Sequence, residues 1–267
     1  MRTGLFVIDP QNDFCSPTGS LYVAGADQDM SRLAKLIDKM GKNITDMFVT
    51  MDTHHIFDIA HAQFWIDQRR KHPDPFTIIS VDDVAKKLWM PSNSHYNAWA
   101  KEYVEGLAQK GRFPLCIWPD HCLIGSPGNN IYPELFTSLC NWERTFNGFV
   151  QYQTKGTSFK TEHYSIFEAE YSDPADPTTK FNGMYANAIA QCDKVLIAGE
   201  ARTHCVINSM RSLIENMGDS FISKIIFLED ASSDVTVVPG LVAAADQYFA
   251  DLKRKGMEVT TTAEFMK

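Results

Sequence analysis

The sequence predicts an α/β protein whose mainly parallel sheet is covered by helices on both faces. Five short runs of aliphatic and β-branched residues are apolar along nearly their whole length, which is typical of strands buried on both faces. Most of these runs are separated by segments with helical periodicity, and that alternation favours parallel strands joined by helices. The predicted strands are residues 4–9, 47–52, 148–155, 194–200 and 224–230.

The predicted helices are assigned from apolar residues that recur at spacings of three and four. After Cys205, for example, Val206, Ile207, Met210 and Leu213 fall on one helical face. The helical segments are residues 27–41, 97–110, 180–192, 204–217 and 240–254.

The length of 267 residues suits one α/β domain that carries insertions. We find no repeat and no low-complexity linker, so we expect a single domain over residues 1–267. Two segments, at about 62–112 and 168–182, look like additions to the alternating core. In the first, Trp99, Tyr103 and Leu107 share one helical stripe, which predicts a packing role for them.

Charge and composition exclude several classes of partner. The chain has 25 Lys and Arg against 33 Asp and Glu, a net charge of −8. Nucleic acids and anionic membranes require a positive surface, so we expect neither as a partner. No export signal or membrane span is evident, and the six cysteines show no framework spacing. We therefore expect a cytoplasmic protein with reduced thiols that acts on a small molecule, and a homo-oligomer is one of the states open to it.

Three predicted strand ends carry residues that together suit nucleophilic catalysis. Asp9 and Lys155 end their strands, and Cys205 follows Gly199 at the start of a helix. A helix N-terminus and a nearby cation both favour the reactive thiolate. In this interpretation Asp9 takes the thiol proton, Lys155 supplies the cation, and the backbone N–H groups of Ala201 and Cys205 face a developing oxyanion.

A second cluster combines a carboxylate with imidazoles. Asp52, His54 and His61 come from one stretch, and His121 comes from another. Such a set suits Zn²⁺, or else Mn²⁺ or Fe²⁺. From the spacing alone, buried polar residues without a metal explain the pattern equally well. His55 is expected to point the other way, since side chains alternate along an extended segment.

Four motifs in order resemble the isochorismatase-like cysteine hydrolases, and nicotinamidases most closely among them. The resemblance runs from the first residue to about residue 235, apart from the insertions. The motifs are "LFVIDPQNDF", "WPDHCLIGSPG", "TKGTSF…YSIF" and "AGEARTHCV".

The resemblance implies an isochorismatase-like three-layer fold and specific roles for the residues in these motifs. It implies a catalytic triad of Asp9, Lys155 and Cys205, and a divalent metal, with Zn²⁺ expected. It further implies a cis peptide bond before Ala201. The implied metal ligands are Asp52, His54, His61 and His121. The implied substrate contacts are Phe14 and Trp118 around an aromatic ring, and Tyr164 is a further candidate. The implied reaction is the hydrolysis of nicotinamide to nicotinic acid and ammonia through a thioester on Cys205.

The chain also departs from the nicotinamidase pattern in two places. Thr-Asp-x-Cys is usual before the nucleophile, whereas this chain has Arg202, Thr203 and His204 there; Asp-Trp-His-Pro is replaced by Asp52-Thr53-His54-His55. Arg202 is therefore either a clamp for a substrate carboxylate or a surface residue. The insertion at 62–112 either reshapes the pocket, covers it or does neither.

Other functions remain open at this level. A related hydrolase of the same fold would act on another small amide, or on carbamoyl or ureido compounds without a metal. The vinyl-ether hydrolysis of isochorismate would not need Cys205. A non-catalytic binding module would keep the pocket without the reaction.

Overall fold

The computed structural model describes residues 1–237 and 240–267. The strands are β1 (Thr3–Ile8), β2 (Asp46–Asp52), β3 (Trp65–Ile66), β4 (Ile78–Ile79), β5 (Met90–Pro91), β6 (Leu115–Cys116), β7 (Val150–Lys155), β8 (Lys194–Gly199), β9 (Ile225–Leu228) and β10 (Glu258–Thr260). The helices are α1 (Asn12–Cys15), α2 (Ala26–Met40), α3 (Val81–Ala85), α4 (Asn97–Gln109), α5 (Pro133–Phe146), α6 (Gly183–Ala190), α7 (Ile207–Met217), α8 (Leu241–Arg254) and α9 (Thr262–Phe265).

The main sheet has six strands in the order β10-β9-β8-β1-β2-β7, and every neighbouring pair is parallel. The five strands that the sequence predicts are all present, within a few residues of their expected bounds. The sixth strand, β10, was not predicted. Parallel strands place all their carboxyl ends at one edge of the sheet, and that edge is where a site is expected.

The two faces of the sheet bury different sets of side chains, as alternation along a strand requires. On β1, Phe6 and Ile8 belong to a cluster that includes side chains of α4, α6, α7 and α8. Leu5 and Val7 belong to a second cluster, with side chains of α2 and α5. The predicted arrangement of helices on both faces of a parallel sheet is therefore confirmed.

Several helices differ from the sequence-based expectation, among them the short α1, α3 and α9, which were not predicted. The segment predicted as 180–192 is helical only from Gly183 to Ala190, because Asn182 caps its start by accepting a hydrogen bond from the backbone of Tyr185. Helix α5 was not predicted, although Leu135, Leu139 and Trp142 recur on its buried face.

The insertion at 62–112 forms a small layer of its own. It contains α3, α4 and the antiparallel pair β3–β5, and β4 pairs with β6 just beyond it. Tyr103 and Leu107 of α4 are buried in the core and Trp99 packs against it, so the predicted packing role of this stripe is confirmed.

Within the described residues, none of the helices is both long and apolar enough to span a membrane.

Candidate active site

Four neighbouring strands deliver the predicted catalytic groups to one edge of the sheet. In the order β8, β1, β2 and β7, the strands end at or just before residues of the two predicted sets. Asp9 follows β1, and Cys205 lies in a π-helical turn, Arg202–Val206, that follows β8. Asp52 and Lys155 are paired across β2 and β7. The sheet order therefore explains why residues far apart in the sequence meet.

Lys155 contacts residues of both predicted sets. Its Nζ lies 3.0 Å from Oδ2 of Asp9 and 3.0 Å from Oδ1 of Asp52. The same ammonium group donates hydrogen bonds to Sγ of Cys205 at 3.5 Å and to the carbonyl oxygen of His163 at 2.8 Å. All three groups of the predicted triad are buried. The structure thus brings Asp9, Lys155 and Cys205 into direct proximity.

Asp9 is oriented by its neighbours on the sheet. The hydroxyl of Thr50 donates to Oδ1 of Asp9 at 2.6 Å and accepts from the backbone N–H of Asp9 at 3.0 Å. Asp9 also adopts a positive φ of 47°, a conformation that non-glycine residues rarely take. Thr50 is a candidate site residue that the sequence analysis missed, although a polar residue within an apolar strand was a visible signal.

The charge state of the site follows from burial and pairing. Burial raises the pKa of Cys205 well above its ordinary value, in spite of the nearby Lys155. Burial also raises the pKa of Asp9, with Lys155 opposing the shift. Burial acts to lower the pKa of Lys155, but Asp52 and Asp9 raise it well above its ordinary value. Burial therefore outweighs the thiolate-favouring effect expected of Lys155, and the thiol of Cys205 and the carboxyl of Asp9 both hold a proton more tightly than they would in water.

The segment before the nucleophile presents a free backbone donor. The peptide bond between Glu200 and Ala201 is cis, as the resemblance implied. Among the described residues, no acceptor is hydrogen-bonded to the backbone N–H of Ala201. Gly199 has a φ of +111°, and a Cβ atom there would lie 2.1 Å from the carbonyl oxygen of Ile8. Only glycine permits this close approach of β8 to β1.

The predicted metal ligands also converge. One ring nitrogen from each of His54, His61 and His121 lies within 4.8 Å of the others. Oδ2 of Asp52 is 3.2 Å from Nε2 of His54 and 3.7 Å from Nε2 of His121. Nε2 of His54 is buried and has no hydrogen-bond partner among the described residues. A buried nitrogen of this kind, facing a carboxylate and two imidazoles, fits a divalent cation.

The Nδ1 atoms of two of these imidazoles have polar partners, as is usual for histidines that bind metals. Nδ1 of His54 is 3.1 Å from Oδ2 of Asp58, and Nδ1 of His61 is 3.1 Å from the carbonyl oxygen of His55. Such contacts fix the tautomer and leave the other nitrogen for the metal. Burial lowers the pKa of His61 to about 2, which keeps its imidazole neutral and able to coordinate. The side chain of His55 is exposed, as expected.

A small cavity of about 30 Å³ adjoins both clusters. Its lining includes both predicted groups and several apolar side chains: Phe14, Leu21, Val23, Asp52, Trp118, His121, Glu162, Tyr164, Ala201, His204, Cys205 and Val235. The predicted substrate contacts Phe14, Trp118 and Tyr164 are all among them. The volume is about that of one water molecule, so a larger ligand requires these walls to move apart.

Two further polar residues line the cavity and were missed. Glu162 is buried there, and burial raises its pKa to about 7. His204 packs against the rings of Trp118 and Tyr164, with centroid distances of 5.3 and 5.5 Å. His204 lies inside the motif "AGEARTHCV", whereas Glu162 falls in the gap between "TKGTSF" and "YSIF". Asp58 was missed as well, although it stands four residues after His54.

Arg202 faces away from the cavity. Its guanidinium forms two hydrogen bonds with Asp234, at 2.8 and 2.6 Å, and lies 2.8 Å from Asp246. It also stacks over Phe249, with 5.5 Å between its Cζ and the ring centroid. The geometry gives no support to its alternative role as a clamp for a substrate carboxylate.

The insertion contributes no side chain to the cavity lining. It instead packs behind one wall of the cavity, where Phe76 contacts Trp118 edge-on with 6.0 Å between the ring centroids.

Comparisons with known proteins support the resemblance. No model of a known protein family matches the chain. The nicotinamidase of Saccharomyces cerevisiae is 23% identical over 206 residues, which cover 77% of this chain and 78% of the yeast protein.

Solved structures are similar along almost the whole chain. A nicotinamidase/pyrazinamidase from Acinetobacter baumanii has a TM-score of 0.64 and 19% identity, covering 99% of this chain and 98% of its own. The pyrazinamidase of Pyrococcus horikoshii in complex with zinc has a TM-score of 0.53 and 17% identity, covering 98% and 99%. An isochorismatase-like hydrolase from Alkaliphilus metalliredigens has a TM-score of 0.51 and 13% identity, covering 100% and 98%.

These likenesses establish the class of fold. The chain has the isochorismatase-like hydrolase fold, as the sequence predicted. Within that fold the proteins it is similar to are mainly nicotinamidases and pyrazinamidases, so the predicted resemblance is confirmed.

Proposed function

We propose that this protein is a metal-containing cysteine amidohydrolase that converts nicotinamide and water to nicotinic acid and ammonia. The observation that carries the proposal is the position of Lys155. Its ammonium group joins the buried Asp9, the nucleophilic candidate Cys205 and Asp52 of the histidine cluster, at the wall of an apolar cavity. The similarity to nicotinamidases supports the choice of amide.

In the first half of the reaction, Cys205 attacks the amide carbon while Asp9 takes the thiol proton. A sulfur–carbon bond forms, and the π electrons of the carbonyl move to its oxygen. The backbone N–H groups of Ala201 and Cys205 stabilise that oxyanion, and each such donor is worth about 3 kcal/mol. The raised pKa of Asp9 suits it to act as the base.

Collapse of this intermediate breaks the carbon–nitrogen bond. Asp9 returns its proton to the departing nitrogen, ammonia leaves, and a thioester on Cys205 remains. Asp9 then accepts a proton from the water that attacks the thioester carbon. The sulfur–carbon bond breaks and the acid is released. The departing thiolate of Cys205 then takes the proton from Asp9. Lys155 offsets the negative charge throughout.

Asp52, His54, His61 and His121 would hold the metal, and we propose Zn²⁺, although the same ligands suit Mn²⁺ and Fe²⁺. When bound, the metal would act as a Lewis acid that can coordinate the pyridine nitrogen of the substrate. The apolar walls that include Phe14, Trp118 and Tyr164 would contact the ring.

We further propose that residues 1–267 act as one domain in the cytoplasm. The six cysteines are free, which agrees with a reducing compartment. The oligomeric state stays a prediction from the sequence.

The test is ammonia release from nicotinamide and from a panel of other small amides and ureido compounds. We expect turnover of nicotinamide that disappears in Cys205→Ala and falls after chelation. The Arg202→Lys variant serves as a control, because that side chain faces away from the cavity. Turnover of a ureido compound alone, insensitive to chelation, would contradict the proposal.

A further inference from the structure

A buried carboxyl group stands immediately before the proposed oxyanion donor, and the mechanism above gives it no role. The side chain of Glu200 is fully buried. Its Oε2 accepts a hydrogen bond from the backbone N–H of Ser233 at 3.0 Å. Its Oε1 is buried and has no hydrogen-bond partner among the described residues. An unused buried carboxyl next to Ala201 requires an explanation, because burying it is costly.

The segment Ser232–Ser233 binds the chain on both sides of Ala201. The hydroxyl of Ser232 donates to the carbonyl oxygen of Gly199 at 2.6 Å. The backbone N–H of Arg202 donates to the carbonyl oxygen of Ser233 at 2.8 Å. The bond from Ser233 to Glu200 lies between these two, so the chain around the Ala201 N–H is held at Gly199 and Glu200 on one side and at Arg202 on the other.

Ser233 also connects this segment to helix α2. Its hydroxyl donates to Oδ2 of Asp29 at 2.6 Å, and Asp29 is itself buried. Glu200 and Asp29 therefore flank one serine.

Charge pairing around these groups favours a neutral Glu200. The neighbouring charges that act most on its pKa are the carboxylates of Asp29 and Asp234, and both raise it. Each of these carboxylates already forms a salt bridge with an arginine. Arg32 lies 2.7 Å from Asp29, and Arg202 lies 2.6 Å from Asp234. Without a cation of its own, a buried carboxyl is more stable protonated.

We propose that Glu200 is a positioning residue that, as a neutral acid, fixes the Ala201 N–H of the oxyanion hole. In this role its Oε2 accepts from Ser233, and its Oε1, which has no hydrogen-bond partner among the described residues, would carry the proton next to the carboxylate of Asp29. The proposal rests on the proposed function, since the Ala201 N–H matters only if a carbonyl oxygen is attacked there. The direction of the pKa agrees: burial, and then the charge of Asp29, raise the pKa of Glu200 well above its ordinary value.

Two variants separate this role from simple packing. Glu200→Gln reproduces the neutral acid, because its oxygen can accept from Ser233 and its amide can donate to Asp29. Glu200→Leu fills the space without either bond. Asp173→Leu is the control for the loss of a buried carboxyl, since Asp173 accepts from the backbone N–H of Ala175; it differs from Glu200 in that it also pairs with Lys160. It does not line the cavity.

Three readouts are measured for each variant: kcat and KM for nicotinamide, the affinity for pyridine-3-carbaldehyde, and the rate of Cys205 alkylation by iodoacetamide. For Glu200→Leu we expect kcat and aldehyde affinity to fall by about 100-fold, as for the loss of one oxyanion donor, with KM within about threefold. Alkylation should keep its wild-type rate, because that displacement develops no charge on a carbonyl oxygen. Glu200→Gln and Asp173→Leu should both keep kcat within about threefold of wild type.

The proposal is overturned if Glu200→Leu matches wild type, if Glu200→Gln is damaged as much as Glu200→Leu, or if alkylation falls together with kcat. Failure of the proposed function is seen separately, in the absence of amide turnover by the wild type. Aldehyde affinity then decides the role of Glu200, because addition of Cys205 to an aldehyde needs the oxyanion hole and no amide hydrolysis.

Discussion

At the scale of single residues, the site is organised by one buried cation between two buried carboxylates. Lys155 lies 3.0 Å from both Asp9 and Asp52, while burial raises the pKa of the Cys205 thiol. In the mechanism that we propose, the nucleophile is generated as it attacks, by transfer of its proton to Asp9. This arrangement makes the basicity of Asp9 the quantity that sets the pH dependence.

Thr50→Val tests that dependence. The Thr50 hydroxyl stabilises the Asp9 carboxylate, so its removal raises the pKa of Asp9 further. Asp9 must be ionised to act as a base, and the acid limb of kcat/KM should therefore move to higher pH, by about 1 unit for the loss of a bond to a charged group. Thr50→Ser keeps the hydroxyl and should keep the wild-type profile. A Thr50→Val profile that overlays wild type would show that Asp9 is not the titrating base.

At the scale of elements, the junction of β8 with the nucleophile turn depends on one glycine. Gly199 combines a φ of +111° with a backbone contact that leaves no room for a Cβ atom. Ile8 and Gly199 are register partners on β1 and β8, so a displacement there would separate Asp9 from Cys205.

Gly199→Ala is therefore expected to cost at least about 3 kcal/mol in the free energy of unfolding, from a strained φ together with a backbone clash. Gly218→Ala is the matched control, since Gly218 has a φ of +86° but open space around its Cβ position. It should cost only about 1 kcal/mol, the strain alone. Urea denaturation of both variants measures the difference, and equal losses would mean that the approach of β8 to β1 is not tight.

The elements of this edge could be predicted from the sequence to different degrees. The apolar runs of β1, β2 and β8 are long enough to give a clear signal, whereas β7 carries only Val150 and Tyr152 as apolar residues. The ends of these four strands supplied Asp9, Asp52, Lys155 and Cys205. Strand β10 has three residues, none fully buried, so no apolar pattern marks it.

Contacts between segments far apart in the chain could not be predicted, because no local sequence pattern marks them. Arg202 is paired with Asp234, and Glu200 is bonded to Ser233, over more than thirty residues in each case. Glu162 lies in a loop whose path is set by packing and not by periodicity. Such residues become visible only when the fold brings them together.

At the scale of the whole molecule, the ionisation of the buried carboxyl group of Glu200 links the site to the stability of the fold. The folded protein holds Glu200 with a raised pKa, whereas the unfolded chain has an ordinary one. Its contribution to stability is fully present below the unfolded pKa and is lost as the pH rises through the folded pKa. Wild-type stability should therefore fall with pH relative to Glu200→Gln, which cannot ionise.

The difference in unfolding free energy between Glu200→Gln and wild type should grow by up to about 1.4 kcal/mol per pH unit above about pH 4.3. Urea denaturation of both proteins at several values between pH 5 and pH 8 measures it. Parallel curves across this range would mean that Glu200 is already ionised in the folded protein.

The central claim is that Cys205 forms a thioester with the acyl group of its substrate. The most direct measurement is the intact mass of the protein after it is mixed with nicotinamide and quenched in acid within milliseconds, with Cys205→Ala in parallel. We predict a transient species heavier by one nicotinoyl group, mapped to Cys205 by peptide digestion and absent from the variant. Nicotinamide turnover without any adduct, or turnover that persists in Cys205→Ala, would contradict the account and move catalysis to water at the histidine cluster.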